Sequence, residues 1–214
     1  MTQSETTEIS TSKATLRSAG RRSRAGLSAG ERQEKSHQLC ARLLRLWRDL
    51  TDAQAECSGQ PVAVYLANQS EADVDGFARE LLNHGLVVAA PRLNIVPPFY
   101  TLEGALQNVE IVAVGARQNW VRQPHRFQGG HAVEASEIGV FIVPGVAFDA
   151  HGNRVGQGSG WYDKVLCKAP HAIVIGVGFD CQVFPAVPQE AHDCALHYVV
   201  TESRIMHTGA RLSS

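Results

Sequence analysis

Short apolar runs rich in β-branched residues alternate along the chain with longer stretches of helical periodicity. Several of these runs are apolar at consecutive positions, which is typical of strands that helices cover on both faces. The alternation therefore predicts an α/β fold, a three-layer sandwich with a largely parallel central sheet and helices on both faces. The predicted strands cover residues 62–66, 86–90, 110–114, 140–143, 173–177 and 197–200.

Capping residues mark the boundaries of the predicted helices. Ser28 and Glu31 have the spacing of a capping box, which predicts the start of a long helix. A second helix is predicted over residues 73–84, with Gly85 as its C-terminal cap, and a third from about residue 160 to 168. The first of these helices carries a stripe of apolar residues on one face: Leu39, Leu43, Leu46 and Leu50.

The charge balance is nearly even, with 20 basic and 21 acidic residues among 214. This balance gives no general attraction to nucleic acid or to an anionic membrane, so any phosphate binding has to be local. No apolar run approaches the roughly 20 residues that span a bilayer. Residues 1–12 are rich in Ser and Thr without an apolar centre, which predicts a disordered tail before a single α/β domain over residues 13–214.

The polar segment 115–137 contains Gly129 and Gly130 and is longer than an ordinary connection. Loops of this length are usually functional lids or mobile segments, and we expect one of these roles here. The sequence leaves open whether the segment closes over a site.

The five cysteines form no C-x-x-C pair and are odd in number, which predicts reduced thiols in a cytoplasmic protein. A zinc site of Cys181, His192 and Cys194 is disfavoured, because the usual ligand spacings are missing. The sequence offers no Ser-His-Asp or Cys-His catalytic set.

Alternating glycines follow a predicted strand at Gly156, Gly158 and Gly160. A backbone of this kind can turn several N–H groups toward one point, and the helix start that follows adds its positive end. Arg154 precedes these glycines and Asp163 follows them. The spacing is neither the dinucleotide fingerprint nor a Walker A loop. Two interpretations remain, a phosphate-binding loop or a turn that lets strand and helix pack.

Basic residues recur every four positions near the start of the chain, at Lys13, Arg17 and Arg21, and Arg24 continues the stripe. This spacing places them on one face of a helix, from which they can reach a triphosphate. The alternative is a solvated basic face. Few apolar residues anchor this segment, so a bound ligand is one reason for it to be ordered.

Carboxylates follow two of the predicted strands. Glu71 lies after the first strand, where ligand sites form in open α/β sheets. Asp73 and Asp75 are better explained as acids that favour the start of the next helix. Before the last strand, Asp193 could complement Asp163 around Mg²⁺, which prefers carboxylate and phosphate oxygens. For Asp193 a turn aspartate is an equally good interpretation.

A specific motif occupies the middle of the chain: Pro144-Gly145-Val146-Ala147-Phe148-Asp149, then Gly152-Asn153-Arg154-Val155-Gly156, then Gly158-Ser159-Gly160-Trp161-Tyr162-Asp163. Further segments match outward from it: Lys13-Ala14-Thr15-Leu16-Arg17, Tyr65-Leu66, Glu71-Ala72-Asp73 and His192-Asp193. Together they resemble the 5-formyltetrahydrofolate cyclo-ligase family, also called 5,10-methenyltetrahydrofolate synthetases, over residues 13–203.

The resemblance implies an ATP- and Mg²⁺-dependent ligase of one-carbon metabolism that converts 5-formyltetrahydrofolate to 5,10-methenyltetrahydrofolate and releases ADP and phosphate. In that reaction the formyl oxygen attacks the γ-phosphate, and nitrogen 10 of the folate then closes the ring as phosphate leaves. We therefore expect ATP and a reduced folate as small-molecule partners and Mg²⁺ as cofactor. We expect no nucleic-acid or membrane partner, and a monomer in the cytoplasm.

The resemblance also implies roles for individual residues. Lys13 and Arg154 are expected to be catalytic, and Asp163 and Asp193 to hold Mg²⁺. The residues expected to bind ATP are Lys13, Arg17, Arg154, Gly156, Gln157, Gly158, Ser159, Gly160, Trp161 and Tyr162. Those expected to contact the folate are Leu66, Glu71, Gln157, Gly158, Ser159, Gly160 and Trp161.

The chain departs from the family's pattern at a few positions. Gln157 and Ser159 stand where some relatives carry Arg and Lys, and Trp161 replaces a Tyr, which keeps a flat stacking surface but loses a hydroxyl. The stretch 93–101 matches poorly where the folate pocket is expected. Two alternatives stay open: a related enzyme acting on another formyl or amide substrate, and a non-catalytic module that binds nucleotide or folate.

Overall fold

The computed structural model describes residues 3–53, 59–68, 70–92, 98–102, 109–114, 119–124 and 130–210. Four α-helices lie in these ranges: α1 (Gln3–Ala25), α2 (Ala29–Ala53), α3 (Asp75–Asn83) and α4 (Trp161–Leu166). The twelve strands are β1 (Val62–Ala63), β2 (Val88–Pro91), β3 (Phe99–Thr101), β4 (Val109–Val114), β5 (Asn119–Pro124), β6 (Ala132–Val133), β7 (Val140–Pro144), β8 (Ala147–Phe148), β9 (Arg154–Val155), β10 (Ile173–Val177), β11 (Tyr198–Val200) and β12 (Ile205–His207).

The helix boundaries follow from the capping residues. The Glu31 backbone N–H donates to Ser28 Oγ at 3.2 Å, and the Ser28 N–H donates to Glu31 Oε2 at 2.8 Å, which confirms the predicted capping box at the start of α2. Gly85 follows α3 with a φ of +75°, the left-handed conformation expected of a glycine that ends a helix.

The central sheet has eight strands in the order β12-β11-β10-β7-β1-β2-β3-β6. The five strands from β11 to β2 run parallel, and β12, β3 and β6 add antiparallel edges. Neighbouring parallel strands need crossover connections. Helix α2 precedes β1, α3 lies between β1 and β2, and α4 lies between β9 and β10. The largely parallel α/β sheet predicted from the sequence is confirmed.

Apolar cores lie on both faces of this sheet. Val62 and Val64 belong to the core that also contains residues of α2 and α3, whereas Ala63 between them belongs to the core that contains residues of α4. Successive strand residues point to opposite faces, so both faces of β1 are covered. The predicted stripe of α2 is buried in the first core: Leu39, Leu43, Leu46 and Leu50.

The structure differs from the sequence prediction in three places. Strand β4 pairs with β5 in a separate hairpin, so the predicted strand 110–114 lies outside the main sheet. Within the segment 115–137, predicted as one long polar connection, the described residues form β5, β6 and a 3₁₀ turn at Ala135–Glu137. Residues 115–118 and 125–129 lie outside the described residues. Helix α1 begins at Gln3, inside the segment 1–12 for which disorder was predicted.

Two further properties of the described residues bear on function. None of the helices in these ranges is long and apolar enough to cross a membrane. The thiols of Cys40, Cys167, Cys181 and Cys194 are free, and Cys57 lies outside the described residues.

Candidate active site

The first half of the glycine-rich segment is anchored by the ring of Phe148. This side chain is fully buried and lies against three glycines, because a methyl group added to Gly145, Gly176 or Gly178 would overlap the ring. The glycines therefore make room for a large aromatic residue beside the sheet. The burial of the ring fixes the loop at the ends of β7 and β10.

Asp149 is the second anchor, and it is almost fully buried. Its Oδ1 accepts hydrogen bonds from the backbone N–H groups of His151 and Asn153 at 3.0 and 2.9 Å. Its Oδ2 accepts from the Val187 backbone N–H and from Asn153 Nδ2, both at 2.9 Å. A carboxylate with four donors holds the turn that leads into β9. Asp149 is therefore a structural residue of the motif.

Gln182 completes this anchoring, and its role was not predicted from the sequence. Its buried Nε2 donates to the carbonyl oxygens of Gly145 and Val146 at 2.9 and 3.2 Å. Its Oε1 accepts from the Phe179 backbone N–H at 3.0 Å. Buried backbone carbonyls need partners, and this amide supplies one for each of these two carbonyls. A single glutamine between apolar neighbours carries no pattern that would have predicted this.

Arg154 begins β9 and is held on several sides. Its Nη2 donates to Asp163 Oδ1 at 2.9 Å, its Nη1 donates to the Pro144 carbonyl at 3.3 Å, and its guanidinium lies 5.6 Å from the centre of the Tyr162 ring. Among the described residues its buried Nε has no hydrogen-bond partner. A buried guanidinium with an unused donor is suited to an anionic ligand.

The basic stripe of α1 lies against the glycine loop. Arg17 Nε donates to the Gly156 carbonyl at 3.1 Å, and Arg21 Nη2 donates to Gln157 Oε1 at 2.7 Å. Gly20 lets the helix approach closely, because a methyl group there would overlap the Val146 carbonyl oxygen. The stripe is therefore a contact surface for the loop and not a solvated basic face.

Lys13, on the same stripe, is buried in a group of acids near the end of the chain. Its Nζ lies 2.6 Å from Asp193 Oδ2 and 3.2 Å from Glu190 Oε2. Glu190, His192 and Asp193 bring three potential metal ligands within 4.8 Å of one another. Asp163, which we expected beside Asp193, is not part of this group and pairs with Arg154.

The tip of the loop is open. Gln157, Gly158 and Ser159 are exposed, and Gly158 has a φ of +110°. Gly160, with a φ of +63°, precedes α4 as its N-terminal cap. Only glycine adopts such conformations without strain, so Gly158 and Gly160 are required by the turn itself.

Two aromatic residues follow the loop at the start of α4. Trp161 packs against Phe99 and Tyr162, with ring centres 5.6 and 4.8 Å apart, so half of its surface belongs to the core. Burial raises the pKa of Tyr162, and the nearby charge of Glu71 raises it further, so this hydroxyl stays protonated. The wall beside the loop is therefore aromatic and uncharged.

Glu71 lies beside the loop tip, at Gln157. Its Oε2 accepts from the Asn68 backbone N–H at 3.1 Å, and its Oε1 lies 3.5 Å from Gln157 Nε2 and 3.9 Å from Arg24 Nη1. Leu66, buried, precedes this segment after β1. The structure thus brings Glu71 of the predicted site to the loop.

The neighbouring acids have another role. Asp73 Oδ1 accepts from the Asp75 backbone N–H at 2.8 Å, at the first residue of α3. Carboxylates at a helix start satisfy free backbone donors and complement the helix dipole. The interpretation of these two residues as helix-starting acids is confirmed.

Comparison with known proteins gives consistent results. The model of the 5-formyltetrahydrofolate cyclo-ligase family matches residues 9–202. A relative from Escherichia coli (strain K12), named 5-formyltetrahydrofolate cyclo-ligase, is 27% identical over 187 residues, which are 86% of this chain and 97% of the relative. A Mus musculus relative of the same name is 26% identical over 197 residues, covering 88% of this chain and 96% of the relative.

A solved structure is also similar. It is that of 5,10-methenyltetrahydrofolate synthetase from Aquifex aeolicus, with a TM-score of 0.71 and 26% sequence identity. The match covers 94% of this chain and 95% of that one. The similarity therefore extends over the whole fold and is not confined to the glycine loop.

Proposed function

The chain belongs to the 5-formyltetrahydrofolate cyclo-ligase family, and from this premise we propose that it catalyses the family's reaction. In this reaction 5-formyltetrahydrofolate and ATP give 5,10-methenyltetrahydrofolate, ADP and phosphate. The observation that supports the proposal most strongly is the meeting of the α1 cations with the glycine loop. Arg17 contacts Gly156, and Arg154 holds an unused buried donor beside the same loop.

The proposed chemistry needs alignment and charge neutralisation more than it needs a protein nucleophile. The formyl oxygen forms a bond to the γ-phosphorus, and the bond from that phosphorus to ADP breaks. Nitrogen 10 then bonds to the formyl carbon, the carbon–oxygen bond to phosphate breaks, and the proton of nitrogen 10 is released. Lys13, Arg17 and Arg154 would bind the phosphates and hold them in line with the formyl oxygen.

The acidic group fits a magnesium ion by its chemistry. Asp193 and Glu190 supply carboxylate oxygens near Lys13, and Asp163 supplies another beside Arg154. Mg²⁺ prefers a few carboxylates together with phosphate oxygens. We propose that Asp163 and Asp193 hold it, and when bound it would neutralise charge on the phosphates. Lys13, which now pairs with Asp193, would then be available to ATP.

On the other side of the loop we propose a folate site. Glu71 offers Oε1, whose contacts are long, as an acceptor for an N–H donor of the folate. Leu66 and the half-buried Trp161 supply apolar surface for a flat ring. Gln157 contacts both Glu71 and Arg21, and it is exposed together with Gly158 and Ser159, so we propose that both substrates reach these loop residues.

The remaining parts of the proposal concern the oligomeric state, the location and the partners of the protein. We propose that the chain acts as a monomer in the cytoplasm and that its partners are ATP and a reduced folate. The even charge balance supports the absence of a nucleic-acid or membrane partner.

The direct test is an assay of the purified protein with ATP, Mg²⁺ and 5-formyltetrahydrofolate, followed by the absorbance of the methenyl product. We expect product formation that requires all three components. Lys13→Met should lower turnover by about 10²-fold, because it removes a charge at the developing phosphate. Arg22→Met, which changes an exposed arginine of the same helix, is the matched control and should leave turnover unchanged. ATP binding by calorimetry without product would contradict the proposal.

A further inference from the structure

Arg24 is a buried cation that the proposed chemistry does not use. It lies in the last turn of α1 and is only 7% exposed. Its Nε donates to Ser70 Oγ at 3.1 Å, and its Nη1 lies 3.9 Å from Glu71 Oε1. An arginine is rarely buried without a partner, because the loss of hydration costs several kcal/mol. Both contacts of Arg24 are with the segment that carries Glu71.

The two carboxylate oxygens of Glu71 have contacts of different length. Its Oε2 has the backbone N–H of Asn68 at 3.1 Å, whereas the contacts of Oε1 among the described residues are longer, with Gln157 Nε2 at 3.5 Å and Arg24 Nη1 at 3.9 Å. Hydrogen bonds of N–H to oxygen are usually 2.7–3.2 Å long, so Oε1 keeps capacity to accept another donor. Arg24 thus lies beside the oxygen that remains open to a ligand.

Charge explains why an arginine is needed there. The side chain of Glu71 is 14% exposed and that of Arg24 8%, so water screens the pair weakly. Burial raises the pKa values of the neighbouring Tyr65 and Tyr162 hydroxyls, and the charge of Glu71 raises them further, so both hydroxyls are neutral. Without Arg24 the carboxylate would lose the cation that lies 3.9 Å from Oε1, and rotation toward solvent would become more favourable.

We propose that Arg24 is a positioning residue, which fixes Glu71 with Oε1 turned to the folate and so sets the affinity for that substrate. Ser70 supports the arrangement by holding Arg24 Nε. The proposal rests on the proposed function, since it assigns the folate to the Glu71 side of the loop. It also divides α1 by role: Lys13 and Arg17 serve the phosphates, and Arg24 serves the folate.

The test compares Arg24→Met, Arg24→Lys and the control Arg22→Met in steady-state kinetics and calorimetry. For Arg24→Met we expect the KM and the Kd for 5-formyltetrahydrofolate to rise about tenfold. The KM for ATP and kcat should stay within about twofold, because the phosphate side is untouched. Arg24→Lys keeps the charge and should show about a threefold rise. Arg22→Met should behave as the wild type, since Arg22 is exposed.

A double-mutant cycle separates positioning from a general structural effect. In a Glu71→Gln background, Arg24→Met should no longer change folate affinity, because the charge that it positions is gone. An unchanged tenfold effect in that background would overturn the proposal, as would equal rises in the KM of both substrates. If Arg24→Met does not fold, the same comparison is made with Arg24→Lys.

The wild-type protein distinguishes this inference from the proposed function. If the wild type forms no methenyl product, the proposed function fails whatever the variants do. Calorimetric folate binding still reports on Arg24 in that case, because it does not depend on turnover. If the wild type forms product and Arg24→Met has the wild-type KM for folate, only the positioning role is overturned.

Discussion

Helices α1 and α2 follow one another and are similar in length, with 23 and 25 residues, but they are held in different ways. Helix α2 buries the leucine stripe at Leu39, Leu43, Leu46 and Leu50 in the core. From residue 12 onward, the buried residues of α1 are Lys13, Gly20 and Arg24. One helix is therefore fixed by apolar packing, and the other by ion pairs and a close backbone approach.

The difference indicates that α2 mainly stabilises the fold, whereas α1 mainly contributes to the proposed site. Apolar packing contributes wherever a core exists, whether or not a ligand is bound. The side-chain polar contacts of α1 include those with the glycine loop, with Glu71 and with Asp193, which lie in the proposed site. Changes in α2 should therefore alter stability, whereas changes in α1 should alter ligand binding and turnover as well.

The largest effect on stability is expected from Leu43→Ala in α2. Leu43 is fully buried, and its truncation leaves a cavity in a packed core, so the free energy of unfolding should fall by about 2–5 kcal/mol. Urea unfolding measures this loss. At a temperature where the variant is folded, its KM values should equal those of the wild type. A selective loss of folate or ATP affinity would show that α2 contributes directly to the site.

A smaller loss, of about 1–3 kcal/mol, is expected from Gly20→Ala in α1. The added methyl group would overlap the Val146 carbonyl oxygen, so the helix must move away from the loop. We expect a fall in turnover together with the fall in stability, because Arg17 and Lys13 move with the helix.

Gly30→Ala in α2 is the matched control for this substitution. No atom lies within 4 Å of a methyl group added there, and alanine favours helices by up to about 1 kcal/mol over glycine. Its stability should rise slightly and its turnover should stay constant. If Gly20→Ala behaves in the same way, the close approach of α1 to the loop is not needed for function.

The two helices also differ in how far the sequence predicted them. The leucine stripe of α2 has helical periodicity, and the capping box gives its start, so both were predicted correctly from local pattern. The position of α1 depends on Gly20 and on partners more than a hundred residues away, such as Gly156. Local pattern indicated a basic face, but not what that face would contact.

In the glycine loop, too, the local sequence pattern predicted only part of the structure. Its spacing indicated a phosphate-binding loop or a packing turn; the structure shows packing in one half, and phosphate binding by the other half stays a prediction. The half with Phe148 and Asp149 is packed and satisfied by buried partners, including Gln182, whose part no sequence pattern predicts. The half from Gly156 to Ser159 is open. Asp163 and Asp193 also show this limit, because their actual partners, Arg154 and Lys13, depend on tertiary contacts.

The smallest effect is expected from titration of Cys40, a residue of α2 whose thiol faces the start of α3. Its Sγ contacts the Asp73 carbonyl at 3.4 Å, and burial raises the pKa of the thiol from 9.0 to about 11. Between these values the unfolded chain loses the proton while the folded protein keeps it. The unfolded state therefore binds fewer protons, and the free energy of unfolding falls as the pH rises.

This contribution is fully present below pH 9 and should have fallen by about 1 kcal/mol at pH 10. Urea unfolding of the wild type and of Cys40→Ala at pH 8 and pH 10 measures this contribution. The slope of the free energy of unfolding against pH is taken for each protein, and the difference between the two slopes removes the effect of all other titrating groups. The slope should be steeper for the wild type. If the free energy of unfolding changes equally with pH in both proteins, water reaches the thiol in the folded state. The contact of α2 with α3 would then be more open than the contact of the α2 leucines with the core.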